Sequence, residues 1–404
     1  MSGPASIGRR RVLQALAVGG AAAVLAACGD AGDLGATPAD AAPVSNVASP
    51  QPSAWFKDTT PFIVHDDGKS LEARLEYMDG LITPHRFFFV RNNSVSLDVD
   101  VDAWRLSIEG DAVANSLTLT YDDIRKLPSR TLVCYLECAG NHRAMFGLVQ
   151  ERQAKGTQWM TGGVSNGKWV GVPLREVLTQ AGIADDAVSV LLIGLDTESP
   201  EQGFRRVLPV AKALHPDTLL AYSLNGEDLP RDHGFPLRAL VPGWVGSSNV
   251  KWLGRIVVSR ERLWTRNNTT SYVLIGDDYA PDGQALGKVT TTQVIKSALA
   301  LPWPATLPAQ RHQVHGFAHS PDGPIRRVEW SLDSGESWRE AAVLEPQVQY
   351  SWARFELEWD ARPGEYTVMT RATDAAGNTQ PDEIPFNEKG YLFNQPGPHP
   401  VQVS

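Results

Sequence analysis

Near the C-terminus, three short runs at residues 327–331, 353–359 and 366–372 alternate apolar with polar side chains, and the turn signals Pro321-Asp322-Gly323, Asp333-Ser334-Gly335 and Pro363-Gly364 bound them. Period-two alternation between turns restricts a chain to antiparallel strands with one face buried. Residues 293–404 are therefore expected to form an immunoglobulin-like β-sandwich. Pro302, Pro304 and Pro308 read as a hinge ahead of it. Taken alone, such a module suits adhesion and dimerisation equally.

The residues before it, 61–292, mix short helices with short strands, which makes the fold class α+β. Residues 104–109 alternate as a strand. Thr120 is placed to cap a short helix that runs through Leu127 and ends at Pro128. Pro173 opens the first turn of a second helix and Gly182 stops it. Residues 188–195 form an apolar run, read as a buried strand that delivers Asp196. No complete phosphate-binding glycine loop occurs, so nicotinamide, flavin and nucleotide hydrolysis lose support.

The chemistry concentrates on Cys138-Ala139-Gly140-Asn141-His142-Arg143. Residues 131–136 are β-branched, aromatic and aliphatic, hence a buried strand that ends where Cys138 begins a loop, and such junctions carry functional groups. Beyond Cys28 the other cysteine is Cys134. Four strand steps separate it from Cys138 by about 13 Å, whereas a disulfide needs Cα atoms within about 7 Å. Cys138 is thus a free-thiol candidate and a soft metal ligand. Cys134 reads as a small buried hydrophobe.

At the N-terminus, Arg9-Arg10-Arg11 precedes an apolar stretch that reaches Ala27, in the manner of a twin-arginine export signal over residues 1–27. Its length falls short of the roughly 20 residues a spanning helix needs. Leu25-Ala26-Ala27-Cys28 has the form of a lipobox that would anchor the protein to a membrane at Cys28; simple cleavage and secretion is the alternative. Either way the protein is expected to be exported, to a periplasmic or cell-surface location. Residues 28–60, rich in Gly, Ala, Asp, Pro and Ser, read as a flexible linker without chemistry. Loss of the three signal arginines takes the formal net charge from −9 to −12, which argues against nucleic acid and suits a basic protein partner.

Several further motifs occur in order: Phe87-Phe88-Phe89-Val90-Arg91-Asn92-Asn93, then Cys138-Ala139-Gly140-Asn141, Trp169-Val170-Gly171-Val172-Pro173-Leu174-Arg175, His233-Gly234-Phe235-Pro236-Leu237-Arg238, Val241-Pro242-Gly243-Trp244-Val245-Gly246 and Val250-Lys251-Trp252-Leu253-Gly254. With them, the chain from about Tyr77 to Val403 resembles the sulfite oxidase family of molybdenum-cofactor enzymes. The resemblance implies a sulfite-oxidase-type molybdopterin-binding domain followed by a dimerisation domain, so a homodimer is expected.

Residue by residue, the resemblance makes Cys138 the protein ligand to molybdenum. It places Phe89, Val90, Arg91, Asn92, Asn93, Asp196, His233, Arg238, Asn249, Val250 and Lys251 around the pterin and its phosphate. Arg91 and Arg143 would offer planar forks to a small oxyanion, Trp159 would wall the substrate pocket, and Tyr272 would be the active-site tyrosine, with Tyr279 as the fallback. Three positions depart from the family pattern. Asn93 replaces a histidine, His142 a second arginine and Lys389 an arginine that would bind substrate; lysine keeps the charge but loses the fork.

The implied activity is oxidation of sulfite to sulfate by oxygen-atom transfer. The chain has no Cys-x-x-Cys-His haem attachment, so electrons are expected to leave to an external acceptor such as a c-type cytochrome. A reductase of sulfoxides or other oxyanions on the same cofactor is the alternative within enzymes. A surface-tethered binding protein is the alternative outside them.

Overall fold

The computed structural model describes residues 55–404 together with the backbone of Ala48–Pro50. The export signal and Cys28 lie outside the described residues. Among the described residues no helix is long and apolar enough to cross a membrane.

Two five-stranded sheets organise the first two-thirds of the chain. In one, the strands run in the order Arg205–Pro209, Ser189–Gly194, Leu253–Ser259, Leu106–Glu109 and Leu117–Leu119. Ser189–Gly194 is buried at every position, which explains its unbroken apolar run: elements cover both of its faces. Asp196 follows it directly and is buried. The second sheet orders Glu227–Asp228, Leu219–Leu224, Val164–Pro173 and Arg130–Glu137, with Arg238–Leu240 also paired to Leu219–Leu224. Arg130–Glu137 starts exposed and ends fully buried, so it carries the chain inward to Cys138.

The helices expected from their caps are present. Tyr121–Lys126 begins at Thr120, whose side chain accepts from Asp123 N while Asp123 returns the bond in a capping box. Leu174–Gln180 follows Pro173 and stops before Gly182, which takes φ +68°. Helices are few and short, and strands dominate.

An eight-stranded sheet forms the C-terminal part, in the order Lys296–Leu299, Arg311–His319, Ala353–Asp360, Arg339–Val343, Ile325–Ser331, Gly364–Asp374, His399–Val403 and Ala305–Leu307. All pairs are antiparallel except the last. The alternation read from sequence holds, with Ile325, Val328, Trp330, Phe355, Leu357, Val368 and Ala372 in one core. The sheet path folds back on itself, because Ser297 Oγ meets Thr370 Oγ1 at 2.9 Å.

Two expectations need correction. Pro302, Pro304 and Pro308 are not a hinge: the sheet already begins at Lys296–Leu299, and the prolines punctuate the crossing from one end of its strand order to the other, where no ladder hydrogen bond is lost. Nor is all of residues 28–60 a linker. The backbone of Ala48–Pro50 pairs with Leu97–Val99, and Phe56 N donates to the Asp232 carboxylate at 3.0 Å. Lys57 is held by contacts with groups far away in sequence, which local composition does not reveal.

Candidate active site

Cys138 leaves its strand with its amide N–H donating to Gly163 O at 2.8 Å, and a tight turn follows in which Asn141 N donates to Cys138 O and Arg143 N to Gly140 O, both at 2.9 Å. His142 completes the turn at φ +70°, a left-handed conformation that is uncommon for a non-glycine residue. A buried ion pair braces the turn from behind. Lys296 Nζ donates to Glu137 Oε1 at 2.6 Å, with side chains 1% and 0% exposed, and also to Asn141 O at 3.2 Å. Asn141 bridges further, donating to Glu137 Oε1 at 3.0 Å and accepting from Gly163 N at 2.9 Å. Removing one partner of such a pair costs about 3–5 kcal/mol, so the residues flanking Cys138 are rigidly set. Gly246 lies against the same strand; a Cβ there would approach Glu137 O to 2.7 Å.

Two cavities meet at Cys138. The first encloses about 740 Å³, mouth included, and is lined by Phe89, Arg91, Asn92, Asn93, Asp196, His233, Arg238, Asn249, Val250, Lys251 and Tyr272, among others. The second, about 760 Å³ and more open, is a funnel carrying Arg91, Arg143, Lys155, Arg266 and Lys389 together with Trp159, Tyr272 and Tyr391. Arg91, Asn93, Cys138 and Tyr272 line both. Cys138 Sγ therefore faces a deep chamber on one side and a cationic entrance on the other.

Buried cations dominate the chamber. Burial, then Arg238, pushes the Lys251 amine well below its ordinary range; burial, then Lys57, Lys251 and Arg238, does the same to the His233 imidazole; burial lowers Arg238 to about 9. Groups that discourage one another's charge in this way make a site shaped for an anion. Lys251 Nζ donates to Asp232 O at 2.8 Å and to Asn92 Oδ1, and Arg238 donates to His233 O at 3.0 Å and Asn249 O at 2.9 Å. Asp196 is the acidic group of the chamber. Burial raises its carboxyl to about 6, although it accepts from Phe204 N at 2.9 Å. The Asn249 side chain shapes the wall, accepting from Val241 N at 2.6 Å and donating to Val245 O at 3.2 Å. Val90 departs from expectation. Strand alternation turns it away from Phe89 and Arg91, into a small core with Phe62 and Leu71, and it lines neither cavity.

Arg91 and Arg143, expected to act alike, differ. Arg91 Nη1 is buried without a hydrogen-bond partner among the described residues, on the border of both cavities. Arg143 has part of its fork committed to the fold, because Nε donates to Lys389 O at 2.7 Å and Nη1 to Thr157 O at 2.6 Å, while Nη2 makes no hydrogen bond among the described residues. The guanidinium fits there only because Gly140 and Gly390 lack side chains; a Cβ at either would come within 2.4 and 2.5 Å of Arg143. Arg143 is thus a cationic wall of the funnel anchored through Nε and Nη1. Lys389 does line the funnel, and burial, then Lys155 and Arg266, holds its amine below the ordinary range. His142 lines a separate small cavity beside Met145, Ser297 and His399, not the funnel.

The two candidate tyrosines differ in position. Tyr272 is buried between both cavities, with Asn93 Nδ2 at 3.5 Å from its hydroxyl. Tyr279 lines neither cavity and donates to Pro385 O at 3.3 Å. Sequence reading missed Tyr391, which stacks on Tyr272 at 5.5 Å between ring centroids and lies under the Arg143 guanidinium at 5.1 Å. It also missed Arg206, fully buried beneath Tyr272 at 5.6 Å from its ring, donating to Asn267 O and Thr290 O. A buried arginine in an apolar strand context was the available signal for Arg206; nothing local singles out Tyr391.

Among the described residues no three His, Cys, Asp or Glu side chains cluster as a metal site. A metal at Cys138 must therefore bring its other ligands. A pterin that carries sulfur donors to molybdenum and an anionic phosphate fits what is present: a soft sulfur, the unpartnered Arg91 Nη1, an acceptor at Asp196 and a cluster of buried cations.

Comparison with known proteins agrees with this donor set. Residues 92–266 match the oxidoreductase molybdopterin binding domain, and residues 288–396 match the Mo-co oxidoreductase dimerisation domain. The chain is 34% identical over 339 residues to mitochondrial sulfite oxidase of Mus musculus, covering 78% of this chain and 60% of that protein's length. It is 33% identical over 329 residues to sulfite oxidase of Gallus gallus, covering 77% of this chain and 71% of that protein. The sulfane dehydrogenase SoxCD of Paracoccus pantotrophus superposes with a TM-score of 0.73 at 26% identity, over 93% of this chain and 96% of that one.

Proposed function

Because the chain belongs to the sulfite oxidase family of molybdopterin-dependent oxidoreductases, we propose that it oxidises a small sulfur oxyanion, sulfite foremost, and hands the electrons to an external acceptor. The observation that carries this reading is the meeting, at Cys138, of a chamber lined by buried cations and an open funnel that shares Arg91 and adds four more. When bound, the molybdenum cofactor supplies the two-electron oxygen-atom transfer, a chemistry that belongs to the cofactor rather than to side chains.

The protein's part is positioning and charge. Cys138 Sγ would hold the metal, while His233, Arg238 and Lys251 would receive the phosphate and Asp196 would accept from pterin N–H groups. Lys155, Arg266 and Lys389 draw an anion inward, since cations in a cleft raise the local concentration of their counter-ion. Arg91, with an N–H uncommitted to protein, holds the anion's oxygens beside Cys138, and the Tyr272 hydroxyl donates a further hydrogen bond there. Arg143 and Trp159 close the wall and limit water.

The reading extends to a homodimer through the C-terminal module, taken as immunoglobulin-like, and to an exported enzyme that donates electrons to a c-type cytochrome. The dimerisation-domain match and the twin-arginine sequence support these extensions. To test the reaction, sulfite with oxidised dye is compared with dimethyl sulfoxide and nitrate with reduced dye on molybdenum-loaded protein. Turnover with sulfite alone supports the proposal; turnover only in the reducing direction replaces it with a reductase.

A further inference from the structure

Lys57 stands in a stretch whose composition reads as linker, yet its amine has three partners, all close: His85 O at 3.0 Å, Phe88 O at 2.8 Å and His233 Nε2 at 2.8 Å. An ammonium has three N–H groups and no lone pair. In the ammonium form all three are used, and His233 Nε2 is then the acceptor. A neutral imidazole that accepts at Nε2 carries its proton at Nδ1, and His233 Nδ1 has no hydrogen-bond partner among the described residues while the ring lines the cofactor chamber. His233 is neutral, since burial, then Lys57, Lys251 and Arg238, pushes it well below its ordinary range. The segment is pinned at a second point, where Phe56 N donates to both Asp232 oxygens at 3.0 and 3.2 Å.

We propose that Lys57 is a positioning residue of the cofactor chamber: by fixing His233 as its Nδ1–H tautomer, it turns that ring into a hydrogen-bond donor for an anionic phosphoryl group. The N-terminal segment around Phe56 and Lys57 thereby becomes part of cofactor retention. The inference rests on the molybdopterin reading above. Burial lowers the Lys57 amine to about 7, so a phosphoryl anion next to His233 also restores the charge that Lys57 needs to keep all three bonds.

The test uses full-length protein matured in its native host, with Lys57→Met, His233→Asn and His233→Gln beside the wild type. Asparagine places its N–H near the position of Nδ1, glutamine near that of Nε2. Pterin is assayed as its oxidised fluorescent derivative, and molybdenum by metal analysis, over a time course of dilution. Loss of a partner that orients a ligating group costs about 10- to 100-fold in affinity, so Lys57→Met should release pterin at least about tenfold faster than wild type. Thermal melting of the cofactor-free proteins serves as the control: a merely structural role lowers that melting point, whereas the proposed role narrows the gap between loaded and cofactor-free protein. His233→Asn should retain more pterin than His233→Gln, and this pair decides the matter if Lys57→Met does not fold. Wild-type release rates in Lys57→Met, or retention by His233→Gln equal to that of His233→Asn, overturn the inference alone. Wild type without pterin or molybdenum overturns the functional reading and the inference with it.

Discussion

The chamber and the funnel both gather cations, but they hold them differently. In and behind the chamber wall, Arg238 is buried and Lys251 and Lys57 are largely so, Lys57 reaching the chamber only through His233; all three are tied to carbonyl oxygens of their own fold before any ligand arrives. In the funnel, Lys155 and Arg266 are exposed and Lys389 half-exposed, while the unpartnered Arg91 Nη1 lies at the boundary. Preorganised buried charge suits a group bound once and kept; exposed charge suits an anion that must enter and leave every cycle. Cys138 belongs to both regions, and its brace behind the strand, Glu137 with Lys296, belongs to neither.

The sharpest way to break this comparison is at the two cysteines of one strand. Cys138→Ser should lower sulfite turnover by about 10³-fold or more, because oxygen is a poor substitute for a soft donor. Cys134→Ser, whose thiol burial pushes up to about 12 and which lies in the core, should leave turnover per molybdenum within about threefold and cost stability instead. Equal losses at both positions would contradict the assignment.

Next in size is the contrast between Arg91 and Lys251. Arg91→Gln should reduce kcat/KM about 10²- to 10³-fold, the scale for one oxyanion donor, with molybdenum content unchanged. Lys251→Gln should reverse that pattern, with less cofactor per chain and nearly normal turnover per molybdenum. Tyr272→Phe should slow kcat about tenfold, one lost hydrogen bond in the transition state, while Tyr279→Phe should be silent in the same assay.

Acidity separates the two regions as well. The Asp196 carboxyl rises from 3.8 to about 6 on burial, so it is a full acceptor above that value and loses acceptor strength as pH falls through it. Cofactor retention, read by pterin release, should fall by up to about tenfold between pH 7 and 5. Cofactor-free protein should show the opposite sign. A raised carboxyl pKa penalises the fold above about 6, and the penalty is relieved as pH drops from 6 toward 3.8. The smallest effect lies at the funnel mouth, where Lys389→Arg should lower KM for sulfite by about three- to tenfold by restoring a planar fork.

What the sequence made legible follows from locality. The strand that ends at Cys138, the Thr120 capping box and the alternating C-terminal strands rest on near neighbours, and all were readable. The family motifs led to most of the chamber because each residue sits inside a continuous run. Lys57 was hidden because its partner His233 lies 176 residues away. Arg143 looked like a free fork until Lys389 and Thr157 supplied carbonyls from 246 and 14 residues away. Tyr391 owes its place to stacking on Tyr272, a contact with no local pattern.

The central claim is that Cys138 joins a cofactor chamber to an oxyanion funnel, and metal and pterin analysis of native-host protein combined with sulfite-dependent ferricyanide reduction tests it most directly. Properly matured protein should carry about one molybdenum and one pterin per chain, with sulfite turnover proportional to molybdenum across preparations. Properly matured protein that binds neither molybdenum nor pterin would contradict it.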